Sequence, residues 1–292
     1  MSIAGGFARA AKETGEELGG NAMQIFTKSP RGRFVKPIDP EDAADFKKYC
    51  KQYEIKYVIA HSSYLLNFAK PASQIPWAIK DILIDYNRLA SLGGCGVVVH
   101  IGKALGGARH EAIQNVIENA KLIIDQTQKI TAAAGSANAG APLEYILENT
   151  AGQGSEIGFR LDELAKIWKG LKGFSPRIKS CLDTAHIWAA GYDISSADSA
   201  SKTLKEYDEL IGLKTISCIH FNDSKKALSS QVDRHDNIGR GLIHPENDPA
   251  NPEGLITIAR YATKKGVPLI LETPGKDGTT HLDDVTMVKN SI

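Results

Sequence analysis

The chain lacks any long apolar run. Nowhere do its 292 residues approach the roughly 18 uninterrupted apolar positions of a membrane span. The N-terminal segment Met1 to Glu17 turns charged too early to hold the apolar core of a signal peptide. Neither sign of charge is in surplus: 35 Lys and Arg against 34 Asp and Glu leave a formal net charge of +1. That excludes a histone-like coat for nucleic acid and an acidic tail, although not a local basic patch. Cysteine is scarce, with Cys50, Cys95, Cys181 and Cys218 far apart and no CxxC pair. Three of the four lie in or beside apolar runs, so buried free thiols in a reducing intracellular compartment are expected rather than disulfides. No Pro/Gly/Ser linker divides the chain, so one domain over residues 1–292 is expected, near the upper size that one core can hold. Asn222-Asp223-Ser224 matches a glycosylation sequon, which an unsecreted chain would make accidental.

What the sequence does have is alternation. Its 42% apolar and 24% charged content is that of a globular protein rather than a disordered, collagenous or coiled-coil chain. Short, mostly apolar runs recur at Ala22–Phe26, Tyr57–Ala60, Gly96–Val99, Glu144–Leu147, Ile178–Leu182, Thr215–Ile219 and Val267–Leu271. Such runs suit parallel strands buried on both faces. Between them lie segments of helical period: Ala4–Leu18, Pro40–Gln52, Pro76–Leu92, Glu111–Ala134, Leu161–Leu171, Ala197–Ile211 and Glu253–Lys265. Asp39-Pro40 is an N-terminal helix signal, and Gly19-Gly20 and Gly93-Gly94 are C-terminal ones. Repeated β-α units leave two architectures open, a doubly wound sheet and a (β/α)₈ barrel.

The polar residues favour the barrel. Six of the seven runs lead into a histidine or carboxylate: His61, His100, Glu148, Asp183, His220 and Glu272. Barrel strands end at one shared mouth, whereas an open sheet strings its strand ends along an edge. Three more candidates follow closely, His186 in Asp183-Thr-Ala-His186 and the pair Asp233-Arg-His235. A single histidine or aspartate at a strand end is usually a cap or a satisfied polar group. The set is another matter, because four carboxylates crowded together are costly unless cations neutralise them. Histidine and carboxylate are ligands that zinc accepts, and nine are too many for one ion. Two or three ions sharing a bridging carboxylate are expected. His110, His244 and His281 show no such placement and read as ordinary surface residues.

The strings Ala60-His61-Ser-Ser-Tyr64-Leu65, Leu147-Glu148-Asn-Thr-Ala-Gly-Gln-Gly154, Leu182-Asp183-Thr-Ala-His186, His220-Phe-Asn-Asp-Ser-Lys225, Val232-Asp233-Arg-His235 and Leu269-Ile-Leu-Glu272-Thr occur in that order. Together they resemble the endonuclease IV family of zinc-dependent apurinic/apyrimidinic (AP) endonucleases, over about Ile3 to Glu272. The resemblance implies a TIM-type (β/α)₈ barrel holding three Zn²⁺ ions. One ion would take His61, His100 and Glu148. A second would share Glu148 and add Asp183, His220 and Glu272, and a third would take His186, Asp233 and His235. It further implies a DNA repair enzyme that hydrolyses the phosphodiester 5′ to an abasic site in double-stranded DNA. The products are a 3′-hydroxyl and a 5′-deoxyribose phosphate, and a 3′-phosphodiesterase or phosphatase activity falls within the same expectation. Water activated between the ions that share Glu148 would attack the phosphorus, so Glu148 is the catalytic candidate.

An abasic sugar must be flipped out of the stack, which the missing base makes cheaper. Tyr64 and Leu65 look like the family's wedge into the gap, although a buried core pair is an equal reading from sequence alone. Arg31 resembles the residue that fills the vacated stack. Lys225 and Arg234, with Lys28, Arg31, Arg33 and Lys226, are candidate phosphate contacts; taken singly, each is better read as a plain solvated charge. The chain is expected to act as a monomer. It departs from the family where Met1 stands at the expected end of a first strand. A barrel with that strand missing or truncated, showing seven evident strands, is therefore expected. Pro30, Gly32 and Arg240 also differ from the family pattern, and Pro245–Pro252 reads as an added surface loop. The rival readings are a metal-dependent sugar isomerase or epimerase of the same barrel type, and a non-catalytic DNA-damage binder.

Overall fold

The computed structural model describes residues 1–30, 35–246, 248, 251–274 and 280–292. Contacts group the chain into two compact units: Met1–Gly102 with Gln114–Leu147 and Leu171–Lys179, and Lys103–Ile113 with Glu148–Gly170 and Ser180–Ile292. The main sheet contains β1 (Ala22–Ile25), β2 (Tyr57–His61), β3 (Gly96–His100), β4 (Glu144–Glu148), β5 (Ile178–Asp183) and β6 (Ile216–His220). A hairpin of β7 (Asp223–Ser224) and β8 (His235–Asp236) follows, and β9 (Leu269–Ile270) completes the main sheet. Its strand order follows chain order, with seven strands among the described residues, as the sequence predicts. The helices are α1 (Phe7–Lys12), α2 (Pro40–Gln52), α3 (Pro76–Leu92), α4 (Arg109–Gln126), α5 (Leu161–Leu171), α6 (Thr184–Ala189), α7 (Ala197–Leu210), α8 (Glu253–Lys265) and α9 (His281–Ser291).

In the first unit β1, β2 and β3 pair in parallel, with Ala22 beside Tyr57 and His61 beside Val98. Val97, Val98 and Val99 are fully buried, which explains why the run is apolar at every position rather than at alternate ones. Asp39 caps α2 by accepting from the Glu41 N–H, with Pro40 in the first turn. Gly93, at φ +81°, ends α3 in a left-handed conformation that a side chain would strain. The amino group of Met1 donates to the Gln24 carbonyl of β1. In the second unit β5, β6 and β9 pair in parallel, with Asp183 beside His220 and His220 beside Ile270. Ser196 and Ser199 form a reciprocal capping box at the start of α7, as Thr280 and Asp283 do for α9.

Several sequence expectations are corrected. The segment Ala4–Leu18 is helical only from Phe7, and Glu13–Glu17 is π-helical. The helix expected to reach Ala134 ends at Gln126, where the Thr127 hydroxyl donates back to the Ile123 carbonyl. The last barrel strand shrinks to two residues. Pro268 has no N–H for the ladder, although its carbonyl still accepts from Ile219. No disulfide joins the four cysteines, but only Cys181 and Cys218 are buried, while Cys50 and Cys95 are half-buried. Asn222 is fully buried, so the sequon is not available to a glycan. The described part of Pro245–Pro252 turns twice, through Asp248 to Pro245 and Asn251 to Asp248. No helix of the described residues is long and apolar enough to cross a membrane.

Candidate metal centre

Most of the candidate ligands are the last residues of their strands rather than the first residues beyond them. His61, His100, Glu148, Asp183 and His220 end β2, β3, β4, β5 and β6. Glu272 follows β9 by two residues. Seven of the nine, Glu148, Asp183, His186, His220, Asp233, His235 and Glu272, lie in the second unit, and their side chains interlock there.

His220 stands at the middle of this set. Its Nδ1 is 2.9 Å from Glu148 Oε1, 3.2 Å from Glu272 Oε2 and 3.8 Å from Asp183 Oδ2. One ligand atom from each of these four residues lies within 4.8 Å of the others. A second group, Asp183, His186 and His235, meets the same limit. Asp233 stands beside that group, 3.3 Å from His186 Nε2 and 3.3 Å from His235 Nε2. His186 Nδ1 donates to the Asn149 carbonyl at 2.9 Å. That bond fixes the ring and leaves Nε2 as the ligating nitrogen. His235 Nε2 is buried without a hydrogen bond, 3.7 Å from Asp183 Oδ2. Such an orphaned ring nitrogen facing carboxylate oxygens fits a divalent cation.

The electrostatics agree. Burial alone would lower the pKa of His186, but Asp183, Asp233 and Glu148 outweigh it and hold it well above its ordinary value. His220 is raised in the same way, with Glu272 and Glu148 outweighing desolvation. Each proton on these rings therefore stands where a cation would neutralise the same carboxylates.

The supporting residues are ones the sequence reading did not single out. Asn222 donates to Asp183 Oδ2 at 2.9 Å and accepts from the Glu272 N–H at 2.8 Å, linking two candidate ligands through one amide. Asn149 accepts from the Asp183 N–H, and the Thr184 hydroxyl donates to the Asn222 carbonyl. Asp183 is also the N-cap of α6 and accepts from the His186 N–H at 2.7 Å. The spacing Asp-x-x-His is thus a capped helix start as well as a ligand pair. Asp284 of α9, 2% exposed, accepts from the Thr273 hydroxyl, Asn237 Nδ2 and the Ile238 N–H. It joins the residue after Glu272 to the segment after His235. His281, expected as an ordinary surface residue, instead touches the Thr273 hydroxyl at 3.2 Å.

In the first unit His61 and His100 form an edge-to-face pair with ring centroids 5.0 Å apart. His61 Nδ1 donates to the Ser62 carbonyl at 2.6 Å. Tyr64 and Leu65 are 46% and 54% exposed, so they are not the buried core pair that sequence alone allowed. Phe26 packs edge-to-face on Tyr64, and the Ser63 hydroxyl donates to the Pro30 carbonyl. Lys28 is a correction: its ammonium is buried in an ion pair with Asp85 and Asp81 and offers nothing to a phosphate. Lys225, 3.8 Å from Asp236, and Arg234 both keep exposed side chains on the β7–β8 hairpin, as does Lys226 beside it. Arg31 and Arg33, with Gly32, lie outside the described residues.

Similarity to known proteins runs along most of the chain. Residues 10–247 match the family model of the xylose isomerase-like TIM barrel. A probable endonuclease 4 of Thermosipho melanesiensis is 34% identical over 296 residues, covering 100% of this chain and 96% of that protein. One from Chloroflexus aggregans is 36% identical over 285 residues, covering 95% and 91%. Among solved structures, endonuclease IV from Thermus thermophilus superposes with a TM-score of 0.81 at 29% identity, covering 100% of this chain and 96% of that one. The fold is therefore a TIM barrel, here with seven strands in its sheet among the described residues.

Proposed function

The chain belongs to the endonuclease IV family, and from that premise we propose that it is a zinc-dependent DNA repair endonuclease that cuts 5′ to abasic sites. The observation that carries this reading is the interlocked set of four carboxylates and three imidazoles in the second unit. Such a set, with His235 Nε2 buried and free of hydrogen bonds, is the chemistry of a polynuclear metal site. Three zinc ions would be held by His61, His100 and Glu148; by Glu148, Asp183, His220 and Glu272; and by His186, Asp233 and His235. Zinc, when bound, lowers the pKa of water and neutralises the charge that builds on a phosphate under attack.

The chain's own groups supply the rest. Glu148 would orient the attacking water and is the carboxylate common to the first two ligand sets. Asn222 and Asn149 keep Asp183 and Glu272 in place, so that no reorganisation is needed as charge develops. Tyr64 and Leu65 enter the gap left by the missing base, and Arg31 takes up the vacated stack. Lys225 and Arg234 hold flanking phosphates and set the register of the duplex. The products are a 3′-hydroxyl and a 5′-deoxyribose phosphate, and blocked 3′ ends are open to the same displacement. The protein works as an intracellular monomer, residues 1–292 acting as one catalytic domain.

Incision of a duplex carrying a single tetrahydrofuran residue tests the reading. Cutting 5′ to the lesion, abolished by chelation and restored by zinc, is the expected result. Binding without cutting would replace it with a damage binder, and turnover of aldose sugars in parallel would replace it with an isomerase.

A further inference from the structure

Beneath the strand-end ligands lies a second, chemically different set. Asp183 and Cys181 are two residues apart on β5 and so share a face, as do His220 and Cys218 on β6. The register places Cys181 beside Cys218 and Asp183 beside His220. One rung of the strand pair thus carries a carboxylate and an imidazole, and the next rung on the same face, two residues in, carries two thiols. Both thiols are 0% exposed and stand opposite each other in the strand register, and His220 is 0% exposed as well. One ligand atom each from Cys181, Cys218 and His220 lies within 4.8 Å of the others. Donors about 2.3 Å from one ion in a trigonal or tetrahedral shell stand roughly 4 Å apart, so a closing of no more than about 1 Å brings the three into one shell.

We propose that Cys181, Cys218 and His220 form an inner metal site selective for soft, closed-shell cations such as Cd²⁺ or Cu⁺. Thiolate sulfur prefers such ions to hard ones, whereas the carboxylates at the strand ends do not. Binding replaces two S–H bonds with two metal–sulfur bonds and releases both protons to solvent, with no electron transferred. The cost falls on His220, whose Nδ1 lies 2.9 Å from Glu148 and 3.2 Å from Glu272. An ion held by the thiols draws this ring inward, away from those carboxylates. The inner site therefore acts as a point of poisoning by thiophilic metals. The site itself stands independently of the endonuclease reading; only the inhibition rests on it.

The test is a titration of the full-length chain with cadmium chloride, as purified and after chelation, read by the ultraviolet thiolate-to-cadmium charge-transfer band. The band is expected to saturate at one ion per chain. It should disappear in Cys181→Ser and in Cys218→Ser separately, and survive in the Cys50→Ser/Cys95→Ser double variant. Circular dichroism and thermal unfolding verify the fold of each variant, and alanine replaces serine wherever serine disturbs it. No band, or a band that outlives loss of either inner cysteine, overturns the proposal. A chain that gives the band but never cuts abasic DNA keeps this site and sinks the endonuclease reading, while cutting without the band does the reverse.

Discussion

Asp183 is fully buried and makes bonds through its backbone and both carboxylate oxygens to Asn149, His186 and Asn222. Tyr64 and Leu65, in contrast, stand about half exposed, on a turn held by the Ser63 hydroxyl and by Phe26 against the tyrosine ring. The carboxylate–imidazole cluster of the second unit is over-determined, so almost any change there leaves a buried polar group without its partner. The turn of the first unit exposes about half of each of these side chains, so they can be changed with little effect on the fold. Metal chemistry requires fixed geometry, whereas contact with a deformable duplex requires protruding apolar groups. On the proposed function, the two regions differ as those two tasks differ.

The comparison is sharpest at Glu148. Glu148→Gln should lower incision by about a hundredfold or more while leaving duplex binding nearly unchanged, as read by single-turnover kinetics and fluorescence anisotropy. Equal losses in cutting and binding would show that the cluster is not specialised for chemistry. Next in size is Asp284→Ala, which touches no candidate ligand side chain. It strands Asn237 Nδ2 and the Ile238 N–H and removes one of the two partners of the Thr273 hydroxyl. The expected cost is about 3 kcal/mol of stability and about tenfold to a hundredfold in metal affinity. Asp284→Asn should recover part of both, and a variant with unchanged zinc affinity would confine Asp284 to folding alone.

The third prediction concerns pH. His186 and His220 have pKa values raised above their unfolded ones, so in the metal-free chain their contribution is fully present below the unfolded value. It is lost as pH rises through the folded values. Thermal unfolding of the chelated protein should therefore weaken as pH climbs from 6.5, whereas zinc, which competes with those protons, should reverse the slope. Parallel slopes with and without zinc would separate the histidines from metal binding. The smallest effect on the fold is expected at the turn. Tyr64→Ala with Leu65→Ala should change stability by no more than about 0.5 kcal/mol and weaken binding of abasic duplex by about tenfold. A large loss of stability would return these residues to the core.

Much of the cluster was legible because His61, His100, Glu148, Asp183 and His220 each end a run of buried, apolar strand residues, and the strand period fixes which way they point. Asp183-x-x-His186 could be read for the same reason, even though the helix cap hidden in that spacing was not. Asn149, Asn222 and Asp284 were opaque. An asparagine or aspartate in a loop carries no local sign of what it will bond, and the partners of Asp284 lie from 11 to 47 residues away. Lys28 was misread because a lysine beside a rim loop looks solvated until Asp81 and Asp85 of α3 are placed against it. Tyr64 and Leu65 left two readings open, since exposure is decided by what packs over a residue and not by its type. The thiol pair was visible as two cysteines in two strands, but only the register brings them side by side.

The central claim, that the carboxylate–imidazole set is a metal centre, is tested most directly by counting metal. Elemental analysis of the purified chain should find about three zinc ions per molecule, falling by at least one in both Glu148→Gln and His220→Gln variants that retain the wild-type circular dichroism. A chain free of zinc after purification in zinc-containing buffer, or a count untouched by both substitutions, would contradict it.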